Sequence, residues 1–108
     1  MIISANTLKI NYSDLESLFN TALQREIDEW NKEKDAFFKN PFDSKFAYMP
    51  NSCFQIWLDL DKSTCTQDLT DQLKIEITSA GWDILEFKWQ SDERTGSDQL
   101  YINIEKIC

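Results

Sequence analysis

The chain has 108 residues, 42% hydrophobic and 13% aromatic, with 11 basic against 19 acidic side chains and a net charge of −8. This is enough for one domain, residues 1–108, with its own core. With no histidine and only two glycines, Gly81 and Gly96, His-based catalysis, His metal ligation and a glycine-rich phosphate loop are all excluded.

The first residues alternate loosely, Leu8, Ile10 and Tyr12 against Thr7, Lys9 and Asn11, which predicts a strand. Ser13-Asp14-Leu15-Glu16 reads as a capping box that opens a helix running to about Phe38 and stopped by Asn40-Pro41. Leu15, Leu18, Phe19, Ala22, Leu23, Ile27, Trp30 and Phe37 form its apolar stripe. Glu26 falls by angle among Leu15, Phe19 and Ala22, and reads either as a buried functional acid or as a carboxylate that snorkels at the core margin. Residues 40–52 are bracketed by Pro41 and Pro50. They read either as a short edge strand over Lys45–Met49 or as a loop whose Phe42, Phe46 and Tyr48 touch the core or a partner.

Cys53–Leu60 is a strand with Phe54, Ile56, Leu58 and Leu60 on one face and Gln55, Trp57 and Asp59 on the other. Thr64 with Gln67, or Thr66 alone, caps a second helix that buries Leu69, Leu73, Ile77 and Ala80, and Gly81 stands where a left-handed cap is wanted. Trp82–Gln90 is a further strand, Leu85, Phe87 and Trp89 opposing Trp82, Ile84, Glu86 and Lys88. A hairpin loop over 91–98 leads to a last strand over Gln99–Ile107. The expected fold is therefore α+β: two helices on one face of an antiparallel or mixed sheet of four to five strands. The order is ferredoxin-like (βαββαβ) with an extra C-terminal strand.

The charge is uneven: residues 55–86 carry seven acids against two bases. Its sign opposes direct binding of nucleic acid or of anionic membranes. The start MIISANTLKI is too short and polar for a signal peptide, and no apolar run approaches a membrane span, so a soluble cytoplasmic protein is expected. Cys53, Cys65 and Cys108 lack CxxC spacing and read as ordinary thiols, so no metal or other cofactor is expected.

Three constellations bear on function. The acids Asp59, Asp61, Asp68, Asp71, Glu76 and Asp83, with Trp57 or Ile75 as an apolar anchor, fit a surface that occupies a basic, nucleic-acid-binding patch of another protein. The alternative is a solvated acidic face. Trp57, Trp82, Ile84 and Tyr101 fit an aromatic sheet face for self-assembly into a homo-oligomer, or for packing of the 40–52 segment. Asp59-Leu60-Asp61 together with Glu86-Phe87-Lys88 resembles the acid and Glu-x-Lys pattern of a metal-dependent nuclease superfamily.

The layout of helix, apolar strand, helix ending Ser79-Ala80-Gly81-Trp82, and a hairpin finishing Leu100-Tyr101-Ile102-Asn103-Ile104 resembles the small α+β proteins of tailed phages, over roughly residues 13–107. That resemblance implies a viral product acting in a host cell, of a kind that often inhibits host or defence proteins. The leading expectation is a non-enzymatic inhibitor that covers a basic surface of a host protein.

Overall fold

A computed structural model describes residues 1–39 and 49–107. Its main elements are α1 (Tyr12–Lys39), β1 (Cys53–Asp59), α2 (Gln67–Ser79), β2 (Trp82–Ser91) and β3 (Asp98–Lys106), with 3-10 turns at Ala5–Thr7 and Lys62–Thr64.

The sheet has three antiparallel strands among the described residues, in the order β1-β3-β2, not four to five. No strand forms at the N-terminus. There the Asn6 amide donates to Ser4 Oγ (3.2 Å) and Thr7 Oγ1 to the Ser4 carbonyl (2.8 Å), so local side-chain bonds coil the segment into a 3-10 turn. The strand expected over Lys45–Met49 and the contacts of Phe42, Phe46 and Tyr48 lie, Met49 apart, outside the described residues. β1 and β2 run parallel, joined through α2, and β3 folds back between them. The slot that a ferredoxin-like order gives to the N-terminal strand is thus filled by the C-terminal one.

α1 starts two residues earlier than the Ser13 box predicts. Asn11 Oδ1 accepts from the Asp14 amide (2.9 Å) while Asp14 Oδ2 accepts from the Asn11 amide (3.2 Å), a reciprocal cap shifted by two residues. The shift brings Tyr12 into the helix and onto the core. α2 ends as expected: Gly81 takes φ +96° and its amide donates to the Thr78 carbonyl. Thr66 occupies the N-cap position with no side-chain cap bond, and Ala80 is exposed.

Both helices cover one sheet face. Leu15, Phe19 and Leu23 of α1 and Leu73 and Ile77 of α2 close over Phe54, Ile56 and Leu58 of β1 and Leu100, Ile102 and Ile104 of β3. Burying each such side chain contributes roughly 1.5–3 kcal/mol. β2 joins this core through Trp82, Ile84, Phe87 and Trp89, all partly buried, because the strand is irregular between Ile84 and Glu86. That bulge resets the alternation. Trp82 and Ile84 therefore face the helices, contrary to the regular alternation, while Leu85 is left exposed. Trp30 Nε1 donates to the Pro50 carbonyl (3.2 Å), pinning the entry to β1.

Candidate functional site

The predicted partner-binding residues fall on three surfaces. Asp59 and Asp61 meet at the end where β1 stops, and Asp98, which opens β3, joins them around a cleft of about 380 Å³. The topology makes this convergence: β1 ends, the hairpin turns and β3 begins at the same end of the sheet. Asp98 Oδ2 accepts from the Lys62 amide (3.1 Å), tying the β1–α2 connection to β3. Asp61 Oδ1 accepts from the Ser63 amide (2.9 Å) and Ser63 Oγ (2.8 Å), and these bonds hold its carboxyl below the ordinary aspartate value. Asp59 Oδ1 accepts from Gln99 Nε2 (2.8 Å). None of the three belongs to an ion pair among the described residues. Sequence reasoning missed Asp98, since only the hairpin register brings residue 98 beside 59.

Asp68, Asp71 and Ile75 lie on α2, in the helix layer. Asp68 stands in its first turn, where the helix dipole favours an acid. Asp71 is tied to its own helix, accepting from Gln67 Nε2 (2.9 Å) and lying 4.0 Å from Lys74 Nζ. Ile75 is 65% exposed. Glu76 faces α1, across a groove of about 300 Å³ lined by Tyr12, Glu16, Asn20, Leu73, Ile77 and Trp82 among others. The Tyr12 hydroxyl is enclosed beside the Glu16 carboxylate. Burial, and then the charges of Glu16 and Glu76, push its pKa up to about 12.

Trp57 and Asp83 belong to the sheet face turned away from the helices. Trp57 is 48% exposed and stacks on Tyr101, with ring centroids 5.1 Å apart, while Lys88 Nζ lies 5.7 Å from the Tyr101 ring. Flanked on both sides, Tyr101 is buried. Asp83 pairs in register with Glu105, which in turn faces Cys53. It therefore lies at the opposite end of the sheet from Asp59, about 20 Å along the strands. The six acids do not share one surface.

The nuclease-like pattern does not assemble either. Glu86 Oε2 and Lys88 Nζ pair with each other at 3.2 Å on the open face. The register puts Asp59 two strands across and four residues along from Glu86, about 16 Å away. Among the described residues no three His, Cys, Asp or Glu side chains gather as a metal site requires. The buried Cys65 thiol has its pKa pushed up by burial, which keeps it protonated and unreactive. Among the described residues no helix is long and apolar enough to cross a membrane. Compared with protein-family models, curated proteins and solved structures, the chain matches none.

Proposed function

We propose that this chain is a non-catalytic binding protein that meets a basic surface of a protein partner with the acidic end of its domain. The observation that carries the reading is the cleft shared by Asp59, Asp61 and Asp98, whose carboxylates form no ion pair among the described residues. A cation arriving there displaces water and no internal counter-ion, so the Coulombic gain is not spent on breaking an existing pair. Glu93 of the hairpin and Asp68 of α2 add to the same field, against Lys62 of the connection and Arg94 of the hairpin. A protein held in this way loses access to the phosphates its basic surface would otherwise bind. That inhibitory role in a host cell is what the layout of small tailed-phage proteins implies.

The test is capture of partners from a host lysate at about 0.05 M and about 0.5 M ionic strength, with the wild type and with a triple Asp59→Asn, Asp61→Asn, Asp98→Asn variant. Asparagine keeps the acceptor oxygens that hold the turn and removes only the charge. Partners retained at low salt, and lost at high salt and in the triple variant, support the reading. Capture indifferent to both overturns it.

One observation favours a second reading, self-association beside Trp57. The outer edge of β2 carries a bulge and Lys88, devices that discourage strand addition, whereas β1 is regular and has neither. Exposed Trp57 and Leu18 flank that β1 edge. With Trp82 turned to the helices, the aromatic face reduces to Trp57 and Tyr101. Sedimentation across a concentration series decides it: a dimer abolished by Trp57→Lys supports the reading, and a monomer throughout rejects it.

A further inference from the structure

β1 pairs with β3 along one edge, and among the described residues no strand lies along the other. The Lys106 amide donates to the Ser52 carbonyl (3.1 Å), one step beyond the Cys53–Glu105 pair. That phase turns the amides and carbonyls of Phe54, Ile56 and Leu58 toward β3 and those of Cys53, Gln55, Trp57 and Asp59 outward. The strand has no proline, lysine or bulge to blunt this outward row. Beside it, the outer flank of α1 forms a second wall. Leu18, Thr21 and Ala22 meet Trp57 and Asp59 around a recess of about 270 Å³. Asp59 also lines the cleft with Asp61 and Asp98, so this trough opens directly into the acidic end. Arg25 stands toward the other end of the trough, since its neighbour Glu26 shares a recess with Cys53 and Phe54.

We infer that this edge takes an extended segment of the basic partner as an added strand, antiparallel to β1, with its lysine or arginine end in the Asp59–Asp61–Asp98 cleft. Backbone pairing with the four outward residues supplies the hold, and the guest side chains that alternate toward α1 rest on Leu18 and Ala22. Antiparallel pairing continues the mode of both existing strand pairs and is the more stable per residue. It brings the guest's N-terminal end to Asp59, where a basic side chain meets complementary charge, and keeps it away from Arg25. β1 itself carries no basic residue, so a second copy paired there leaves those carboxylates unanswered. The inference rests on the reading that the acidic end meets a basic partner surface, and it names the form in which that surface arrives.

The experiment titrates dilute isotope-labelled protein with the capped peptide acetyl-Lys-Lys-Thr-Val-Thr-Val-Thr-amide, and with its counterpart carrying Gln-Gln for Lys-Lys. At saturation, hydrogen exchange should slow at least about fivefold at the Gln55, Trp57 and Asp59 amides. It should stay unchanged at Phe54, Ile56 and Leu58, whose amides β3 already holds. Affinity should fall at least about fivefold for the uncharged peptide, and for the charged one in the triple Asp→Asn variant. The same loss is expected in Gln55→Pro, which removes an outward amide and leaves the bonds to β3 in place, and in Leu18→Lys, which changes a side chain 44% exposed. Circular dichroism confirms that the variants are folded. Shifts confined to residues 59–61 and 98 overturn the edge and leave the acidic-end reading standing. No saturable binding, equal affinity for the two peptides, or outward amides already protected in the free protein overturns the inference as well. Protection that rises with protein concentration alone gives the edge to a second copy instead, while salt-dependent capture judges the parent reading separately.

Discussion

A buried hydroxyl without a partner costs about 1–3 kcal/mol, a cost avoided when the polar atom itself is removed. The Tyr12 hydroxyl is enclosed but lies beside the Glu16 carboxylate, so Tyr12→Phe should shift stability by no more than about 1 kcal/mol either way in urea denaturation at pH 7. The same variant should change the alkaline limb. The pKa of Tyr12 is raised from 10.0 to about 12, so between these values the folded state keeps a proton that the unfolded chain has lost. Stability is then fully present below pH 10 and falls as pH rises toward 12. Denaturation at pH 8 and pH 11 should show a steeper loss for the wild type than for Tyr12→Phe; equal losses would contradict the assigned environment. Little of this was visible in the sequence, where Tyr12 reads as one step of an alternating strand. Its role appears only when Asn11, not Ser13, caps the helix.

At the scale of elements, β1, α2 and the Gly81 stop were legible because each follows one period without interruption. β2 was not. Its apolar residues Trp82, Ile84, Phe87 and Trp89 share a face only through the irregularity after Ile84, and a strict period of two assigns the first pair to the wrong side. The N-terminal strand failed for a related reason. Alternation there is real, but Ser4, Asn6 and Thr7 satisfy the backbone locally before a neighbouring strand can. Two variants probe these elements. Gly81→Ala should cost about 1–2 kcal/mol by thermal or urea unfolding, because φ +96° strains any side chain although nothing lies within 4 Å of the added Cβ. Asp83→Asn should stabilise by about 0.5 kcal/mol in the same assay, since Asp83 stands directly opposite Glu105 and like charges across strands repel. A destabilised Asp83→Asn would mean that the carboxylate has a structural role that the register does not reveal.

For the whole molecule, the two helices run in the same direction along the sheet, and both begin at its acidic end: the Ile10 amide, just before α1, donates to the Thr64 carbonyl beside Asp61. The positive ends of both helix dipoles thus face the region where Asp59, Asp61 and Asp98 gather. The concentration of like charge is tolerated there for that reason, and the sequence could signal the acids but not this alignment. The other end is shaped by length. A helix of 28 residues spans about 42 Å, longer than any strand of the sheet, and α1 buries only Leu15, Phe19 and Leu23, with Ile27 and Trp30 partly covered. Its last turns, where Phe37 and Phe38 pack edge to face on each other, project past the core. With the exposed N-terminal residues also outside the core, the radius of gyration is 17.4 Å, against about 13 Å for a compact chain of this length. Small-angle scattering from dilute monomer should return a value near the larger figure, and amide exchange should be faster over residues 31–39 than over 15–27. A value near the smaller one, or uniform protection along α1, would show the helix end folded onto the domain.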